Sequence, residues 1–365
     1  MAFEISLCMI VKNEQKNLDN CLRTVYDLVD EINIIDTGSA DNTVDIASRY
    51  TDRIFFFDWI NDFSAARNFS FSKATKDYIL WLDADDIITE DNRKKFLLLK
   101  KKLTDNINYV LMKYHYDHDE RGNVTYTQLM ARLVKRREEF KWSGAIHENI
   151  QTSGDYLISD IFITHTHKDL FTSFDRTFEI LTQRVNSGNQ SINDIYYYGL
   201  ALFQNNQAEE SLEQLKVIFK QDASIKSQCL DAYIAAHLIY CQKKDYENAY
   251  HILADNECLF KDKSEFYCCL GYFFRDVHED LDKACQLFSQ ALTCKGYNCI
   301  TDTFSHRYEE YYYYQPYYSI AQCMITLHKY EEAIEYLKIA SSYANYEKTL
   351  SLIDKLESLV HLLKK

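Results

Sequence analysis

The chain has 365 residues, 47% of them apolar and 26% charged, with 29 Tyr, 21 Phe, 8 Gly and 1 Pro. That length suffices for two domains with cores of their own, and so few chain breakers argue against disordered linkers and for helix. A formal net charge of −14 argues against a surface that tracks phosphates, so no nucleic-acid partner is expected, while a local basic pocket for a diphosphate stays compatible with that total.

The start of the chain lacks the basic segment and cleavage site of a signal peptide and reads as a buried strand over residues 5–11. An amphipathic helix follows over about residues 14–28, with Leu18, Cys21, Leu22 and Val25 on one face. A second strand over 31–35 leads to Asp36, Thr37, Gly38 and Ser39, and Asp41 caps a helix that contains Val44, Ile46 and Ala47. Residues 53–57 read as a third strand, 62–74 as a third helix and 78–82 as a fourth strand, which ends at Asp83, Ala84, Asp85 and Asp86. Strands and helices alternating at this spacing predict βαβ units on a parallel sheet, where ligands bind beyond the carboxyl ends of the strands. Three polar clusters, at 12–14, 36–39 and 83–86, fall at such ends.

Strand-like runs at 109–116, 125–134 and 160–166 then predict a mixed, partly antiparallel extension that closes the site. Beyond about residue 170 the strand signal fades, and helix-turn-helix patterns occupy 196–220, 231–254, 265–293 and 316–340. Small residues at the start of the second helices (Ala249, Ala284, Ala333) let each pair pack closely, with offsets resembling tetratricopeptide repeats of about 34 residues. The spacing is irregular, with an insertion around 296–314, so a degenerate array is expected. The domains are therefore placed at 1–170 (α/β) and 171–365 (all-α repeats). No apolar run reaches the roughly 20 residues needed to span a bilayer. The 11 Cys show no disulfide or zinc framework and read as free thiols of a cytoplasmic protein.

Asp83 and Asp85, one residue apart at a strand end, suit a hard cation that bridges phosphate oxygens and neutralises a departing diphosphate. The competing reading is an acidic loop in which Asp86 and Asp91 cap the following helix. Asp36, after the second strand, can accept hydrogen bonds from a base or ribose. Arg67 can grip a phosphate with its planar fork, or pair on the surface with a nearby Asp. The basic run Arg132, Lys135, Arg136 and Arg137 reads as a solvated face, with a phosphate contact as the minority reading. The tyrosines at 311–314, 317 and 318 read as packing between repeats, with a peptide-binding surface as the alternative.

Taken in order, the runs 9–14, 36–43, 63–68 and 81–86 resemble the start of family 2 glycosyltransferases, over roughly residues 4–170. The resemblance implies a GT-A (Rossmann-like) α/β nucleotide-sugar domain that uses a UDP-sugar with Mg²⁺ or Mn²⁺ and transfers with inversion. It places Glu14 and Asp36 near the nucleoside, Arg67 near the base or diphosphate, Asp83 at ribose or metal, and Asp85 as the main metal ligand. Thr37 stands where many members have a second Asp, which leaves the usual uracil contact open. Ser143, Gly144, Ala145, Ile146, His147 and Glu148 resemble the Gly-X-Val-His-Glu segment of a repeat-bearing branch that includes the sublancin-type peptide S-glycosyltransferases. In that branch a downstream His, here His165, completes the metal or diphosphate site, although His167 replaces the family's following Gly.

Inverting transfer needs a general base within reach of the acceptor; Glu148 is the candidate, with His147 as alternative base or orienting partner. The expected reaction moves a hexose or N-acetylhexosamine to a Cys, Ser or Thr side chain of a peptide or protein. The repeats would either present that acceptor or join a homodimer. The rival readings are a cell-envelope saccharide or lipid-linked acceptor, and a non-catalytic repeat scaffold with a relict sugar site.

Overall fold

The computed structural model describes residues 3–118, 122–166, 170–188, 190–227, 229–294, 307–344 and 346–365. Two compact units emerge, one of Met1–Asp117 with Thr127–Tyr198, the other of His118–Tyr126 with Gly199–Lys365.

The first unit opens with β1 (Ile5–Val11), α1 (Leu18–Val25), β2 (Glu31–Asp36), α2 (Thr43–Ala47), β3 (Ile54–Phe56), α3 (Phe63–Ser72) and β4 (Tyr78–Trp81). It continues with β5 (Asp86–Ile87), α4 (Glu90–Lys102), β6 (Tyr109–His118), β7 (Val124–Lys135), β8 (Lys141–Ser143), β9 (Asn149–Gln151), β10 (Tyr156–His165) and α5 (Leu170–Asn186). β1 is covered on both faces, with Leu7, Cys8 and Met9 all buried, as expected of a central strand of a parallel sheet. It pairs in parallel with β2 and β4, and β2 with β3, so the carboxyl ends of the first four strands point the same way. α1 buries Leu18, Cys21, Leu22 and Val25, the stripe that a 3.6-residue period dictates.

After β4 the sheet changes sense, and the hydrogen-bonded path is β3-β2-β1-β4-β7-β6-β10-β5. β7 runs antiparallel to β4, β10 parallel to β6, and β5 antiparallel to β10. This is the mixed extension that the strand-like runs predict. Its register sets His165 opposite Asp86. β8 and β9 form a separate antiparallel ribbon.

Two local readings are corrected. Asp86 does not cap the next helix: it lies in β5, and Thr89 takes the N-cap position of α4. The run at 132–137 is not one solvated face, because Arg132 and Lys135 are buried while Arg136 and Arg137 are exposed. β7 is sandwiched within the sheet there, so side chains on both its faces lose solvent.

The second unit is mainly helical, with the ends of β6 and β7 and a two-residue strand, β11 (Arg307–Tyr308), that pairs with β7. Its helix pairs are α6 (Ile192–Gln204) with α7 (Ala208–Phe219), α9 (Leu230–Gln242) with α10 (Tyr246–Ala254), α12 (Ser264–Asp276) with α13 (Leu281–Ala291), and α15 (Gln315–Thr326) with α16 (Tyr330–Tyr343). Short helices α8 (Ala223–Lys226), α11 (Glu257–Phe260) and α14 (Glu309–Tyr313) intervene, and α17 (Glu347–Leu363) closes the array. Ala249, Ala284 and Ala333 are fully buried at the start of their helices, and a side chain at Gly271 would strike the Phe288 ring at 2.5 Å. Small residues thus bring the paired helices into contact. Buried polar side chains fasten two of the pairs: the Ser211 hydroxyl donates to the Gly199 carbonyl at 2.7 Å, and the His237 ring bonds the Ala249 carbonyl at 2.7 Å. Most of the insertion predicted around 296–314 lies outside the described residues. Among the described residues no helix is long and apolar enough to cross a membrane.

Candidate active site

Two groups of side chains meet at the carboxyl ends of β1, β2 and β4. The loops after β1 and β2 are laced together: the Asn13 amide donates to the Ser39 hydroxyl at 2.9 Å, and the Ala40 amide to the Asn13 side chain at 2.8 Å. Asp36 is buried there, and its carboxylate accepts from the Gly38 and Ser39 amides at 3.1 and 3.0 Å. Gly38 holds a φ of +100°, which a side chain would strain. Glu14 sits at the entry to α1, where its carboxylate accepts from Asn17 at 2.9 Å and its amide donates to Thr43 at 2.7 Å. Both candidate nucleoside contacts therefore also shape the loops that carry them.

Arg67 is buried on α3, a helix capped by the Asp62 side chain, which accepts from the Ala65 amide at 2.9 Å. Its guanidinium donates to Glu148 at 2.5 Å and to Asp83 at 2.8 Å, and its central carbon lies 4.8 and 4.9 Å from the centres of the Trp81 and Trp142 rings. Burial works against the charge on Arg67, but Asp83 and Glu148 outweigh it and hold its pKa above the ordinary value. Burial likewise disfavours a charged Asp83, yet Arg67 and Arg132 keep its pKa below the usual range. The neighbouring Asn68 exchanges two 2.9 Å hydrogen bonds with the backbone of Trp142, fixing β8 to α3. Glu148 thereby reaches Arg67 although 81 residues separate them.

His147 adopts a left-handed φ of +49° and stacks its ring on Tyr197 at 3.9 Å. Ala145 and Ile146, just before it, are buried against Ile180 and Leu181 of α5. The 143–148 segment is thus held from both sides, with Glu148 turned to the carboxylate cluster and His147 to an aromatic ring.

The second group lies at the turn after β4. Asp85, Asp86 and His165 bring one ligand atom each within 4.8 Å of one another. His165 Nδ1 is 3.4 Å from Asp85, 3.8 Å from Asp86 and 3.0 Å from the Tyr114 hydroxyl, and its ring stacks on Tyr116 at 4.9 Å. Burial disfavours a charged imidazole, but the neighbouring carboxylates of Asp85 and Asp86 prevail and push its pKa up to about 10. Thr166 locks the turn from the other side, donating to the Asp85 carbonyl through its amide at 3.0 Å and its hydroxyl at 2.7 Å. Two carboxylates and an imidazole, with one buried carboxylate oxygen of Asp86 lacking any hydrogen bond, form an oxygen-rich donor set that fits a hard divalent cation such as Mg²⁺ or Mn²⁺. His167 lies outside the described residues.

Sequence patterns did not single out Tyr114 or Tyr116 and placed Arg132 and Asp86 elsewhere. The one legible signal was Arg132 between apolar neighbours in a strand, at a position where its alternating partners are Met130 and Val134.

With this geometry in hand, similarity to known proteins is informative. Residues 6–158 match the model of glycosyl transferase family 2. A TPR repeat-containing protein of Synechococcus elongatus is 36% identical over 150 residues, 41% of this chain and 36% of that protein, so the match spans about a third of its length. The SPbeta prophage-derived glycosyltransferase SunS of Bacillus subtilis is 24% identical over 325 residues, covering 83% of this chain and 74% of SunS. Among solved structures, S. aureus TarS 1-349 in complex with UDP-GlcNAc aligns over 68% of this chain and 90% of its own, at 13% identity and a TM-score of 0.41.

Proposed function

Because this chain carries a family 2 glycosyltransferase domain of GT-A-like α/β architecture followed by an all-helical repeat region, we propose that it transfers a hexose or N-acetylhexosamine from a UDP-sugar, with inversion, to a Cys, Ser or Thr side chain of a peptide or protein. The observation that carries the proposal is the convergence of Asp83, Asp85, Asp86, His165, Arg67 and Glu148 at the carboxyl ends of parallel strands, where α/β sheets bind ligands.

In this reading Asp85 and His165 hold Mg²⁺ or Mn²⁺, which when bound neutralises charge building on the departing diphosphate. Asp83 orients the ribose or the cation, and Arg67 holds Asp83 and Glu148 together. Asp36 and Glu14 shape the nucleoside end. Glu148 accepts the proton of the acceptor hydroxyl or thiol, while His147, stacked on Tyr197, borders the acceptor. The acceptor class rests on the resemblance of the 143–148 segment to peptide S-glycosyltransferases and on the repeats, which offer an extended surface for a chain or for a second copy. We place the functional division between the transferase and the repeats at 170/171, where α5 begins.

UDP release from UDP-sugars with Mn²⁺ or Mg²⁺ tests the donor half, run beside an EDTA control and Asp85→Ala. Metal-dependent turnover that the variant loses is expected. Turnover that survives both EDTA and Asp85→Ala would overturn the metal assignment, and no turnover or binding with any UDP-sugar would overturn the donor. A parallel comparison of peptide and saccharide acceptors decides the acceptor class.

A further inference from the structure

Arg132 has no part in the chemistry outlined above, yet it is fully buried and stands among the largest fully buried side chains of the described residues. Its guanidinium lies between two rings, 3.8 Å from the centre of Trp81 and 4.1 Å from that of Tyr114. One of its nitrogens donates to Asp86 at 2.9 Å, while two others, Nε and Nη2, make no hydrogen bond. Asp86 is equally buried, and the same oxygen that meets Arg132 accepts the Asp83 amide at 2.9 Å. The turn is closed from the other direction by the Asp86 amide, which donates to the Asp83 carbonyl at 3.1 Å. The second oxygen of Asp86 has no hydrogen bond and points toward His165, 3.8 Å away.

A buried ion pair with unmet hydrogen bonds is a poor device for stability, because desolvation of both ions offsets their attraction. Its use must lie in what it holds. Lysine would supply the charge without the flat faces that fill the slot between Trp81 and Tyr114, so this slot is built for a guanidinium. Tyr114 also contacts His165, so one of the rings that clamp Arg132 touches the carboxylate cluster as well.

We propose that Arg132 is a positioning residue for the carboxylate turn: it fixes Asp86, and through Asp86 the backbone of Asp83, so that the turn over residues 83–86 is set before a cation and nucleotide arrive. The inference rests on the reading that this turn binds a cation–diphosphate pair. Asp86 then sets the turn through the oxygen that meets Arg132 and the Asp83 amide, while its other oxygen stays with Asp85 and His165 in the cation cluster.

The experiment is calorimetric titration of the full chain with UDP across a series of Mn²⁺ concentrations, with thermal unfolding as the structural control. Arg132→Met combined with Asp86→Asn removes both charges together and leaves no lone buried ion. This double variant is expected to unfold within a few degrees of the parent, and to need about tenfold more Mn²⁺ for half-maximal UDP binding, the scale on which partners of metal ligands act. Arg132→Lys keeps the charge and loses the planar stack, and a rise in the same direction is expected. Because Asp86→Asn also alters a carboxylate of the cation cluster, the Lys variant, which leaves every carboxylate in place, decides the role of Arg132. An unchanged Mn²⁺ requirement in a folded variant would overturn the proposal while leaving the cation reading intact. A parent chain that shows no Mn²⁺-supported UDP binding would overturn the cation reading, and this inference with it.

Discussion

At the scale of single residues, Glu148 and Arg67 show how a motif read as a line of letters becomes a contact. Glu148 is a candidate base whose carboxylate is already gripped by Arg67 at 2.5 Å, so loss of charge and loss of contact must be separated. Glu148→Gln keeps an oxygen for Arg67 and removes the proton acceptor. With a hydroxyl acceptor we expect kcat to fall about 100-fold or more with little change in donor KM. With a thiol acceptor the loss should be smaller, since a Cys ionises in part without help. Unchanged turnover with both acceptors would remove Glu148 from the chemistry.

A second carboxylate makes a prediction about pH. Glu265 on α12 is buried, and accepts from the Tyr312 hydroxyl at 2.8 Å and the Tyr308 amide at 3.4 Å. Burial raises its pKa from the ordinary 4.5 to about 6, with those hydrogen bonds opposing. The folded state therefore holds this proton more tightly than the unfolded chain does. Its contribution to stability is complete below pH 4.5 and is lost as pH rises through about 6, a change of about 2 kcal/mol. Between these pH values the stability of the parent in denaturant should fall by about that amount relative to Glu265→Gln; curves that stay parallel across the window would refute the assignment.

At the scale of elements, the helix pairs are set by side-chain volume. Gly271 of α12 faces Phe288 of α13, and an added Cβ would meet that ring at 2.5 Å. Gly271→Ala gains about 1 kcal/mol of helix propensity, yet overpacking of this kind costs about 1–3 kcal/mol, so a net loss is expected. A variant with equal or higher stability in denaturant would show that α12 and α13 can separate freely. The paired-helix periods at 196–220, 231–254, 265–293 and 316–340 were legible because each apolar stripe and its small residues lie within one local window. The reach of β5 and the pairing of β10 with it were not, since two residues of strand leave no period to read.

For the whole molecule, charge decides what the protein avoids. A formal charge of −14 repels polyanions, and the arginines of the site are engaged by carboxylates, Arg67 by Asp83 and Glu148 and Arg132 by Asp86. Duplex DNA or RNA is expected to give no mobility shift at low salt, the condition most favourable to phosphate contacts. A salt-sensitive shift would reveal a basic surface that the net charge hides.

Sequence alone determined the order of the first seven elements, from β1 to β4, the parallel start of the sheet, the helical character of the second half, and the strand-end position of the acidic turn. These follow from periodicity and short motifs, which act over a few residues. Only the tertiary structure decided that Arg67 joins Asp83 to Glu148 and that His165 faces Asp85 and Asp86. It also turned Arg132 from a solvated cation into a buried clamp. Each of these depends on segments brought together from 16 to 81 residues apart, and on burial, which makes a charge choose a partner that no local pattern can name.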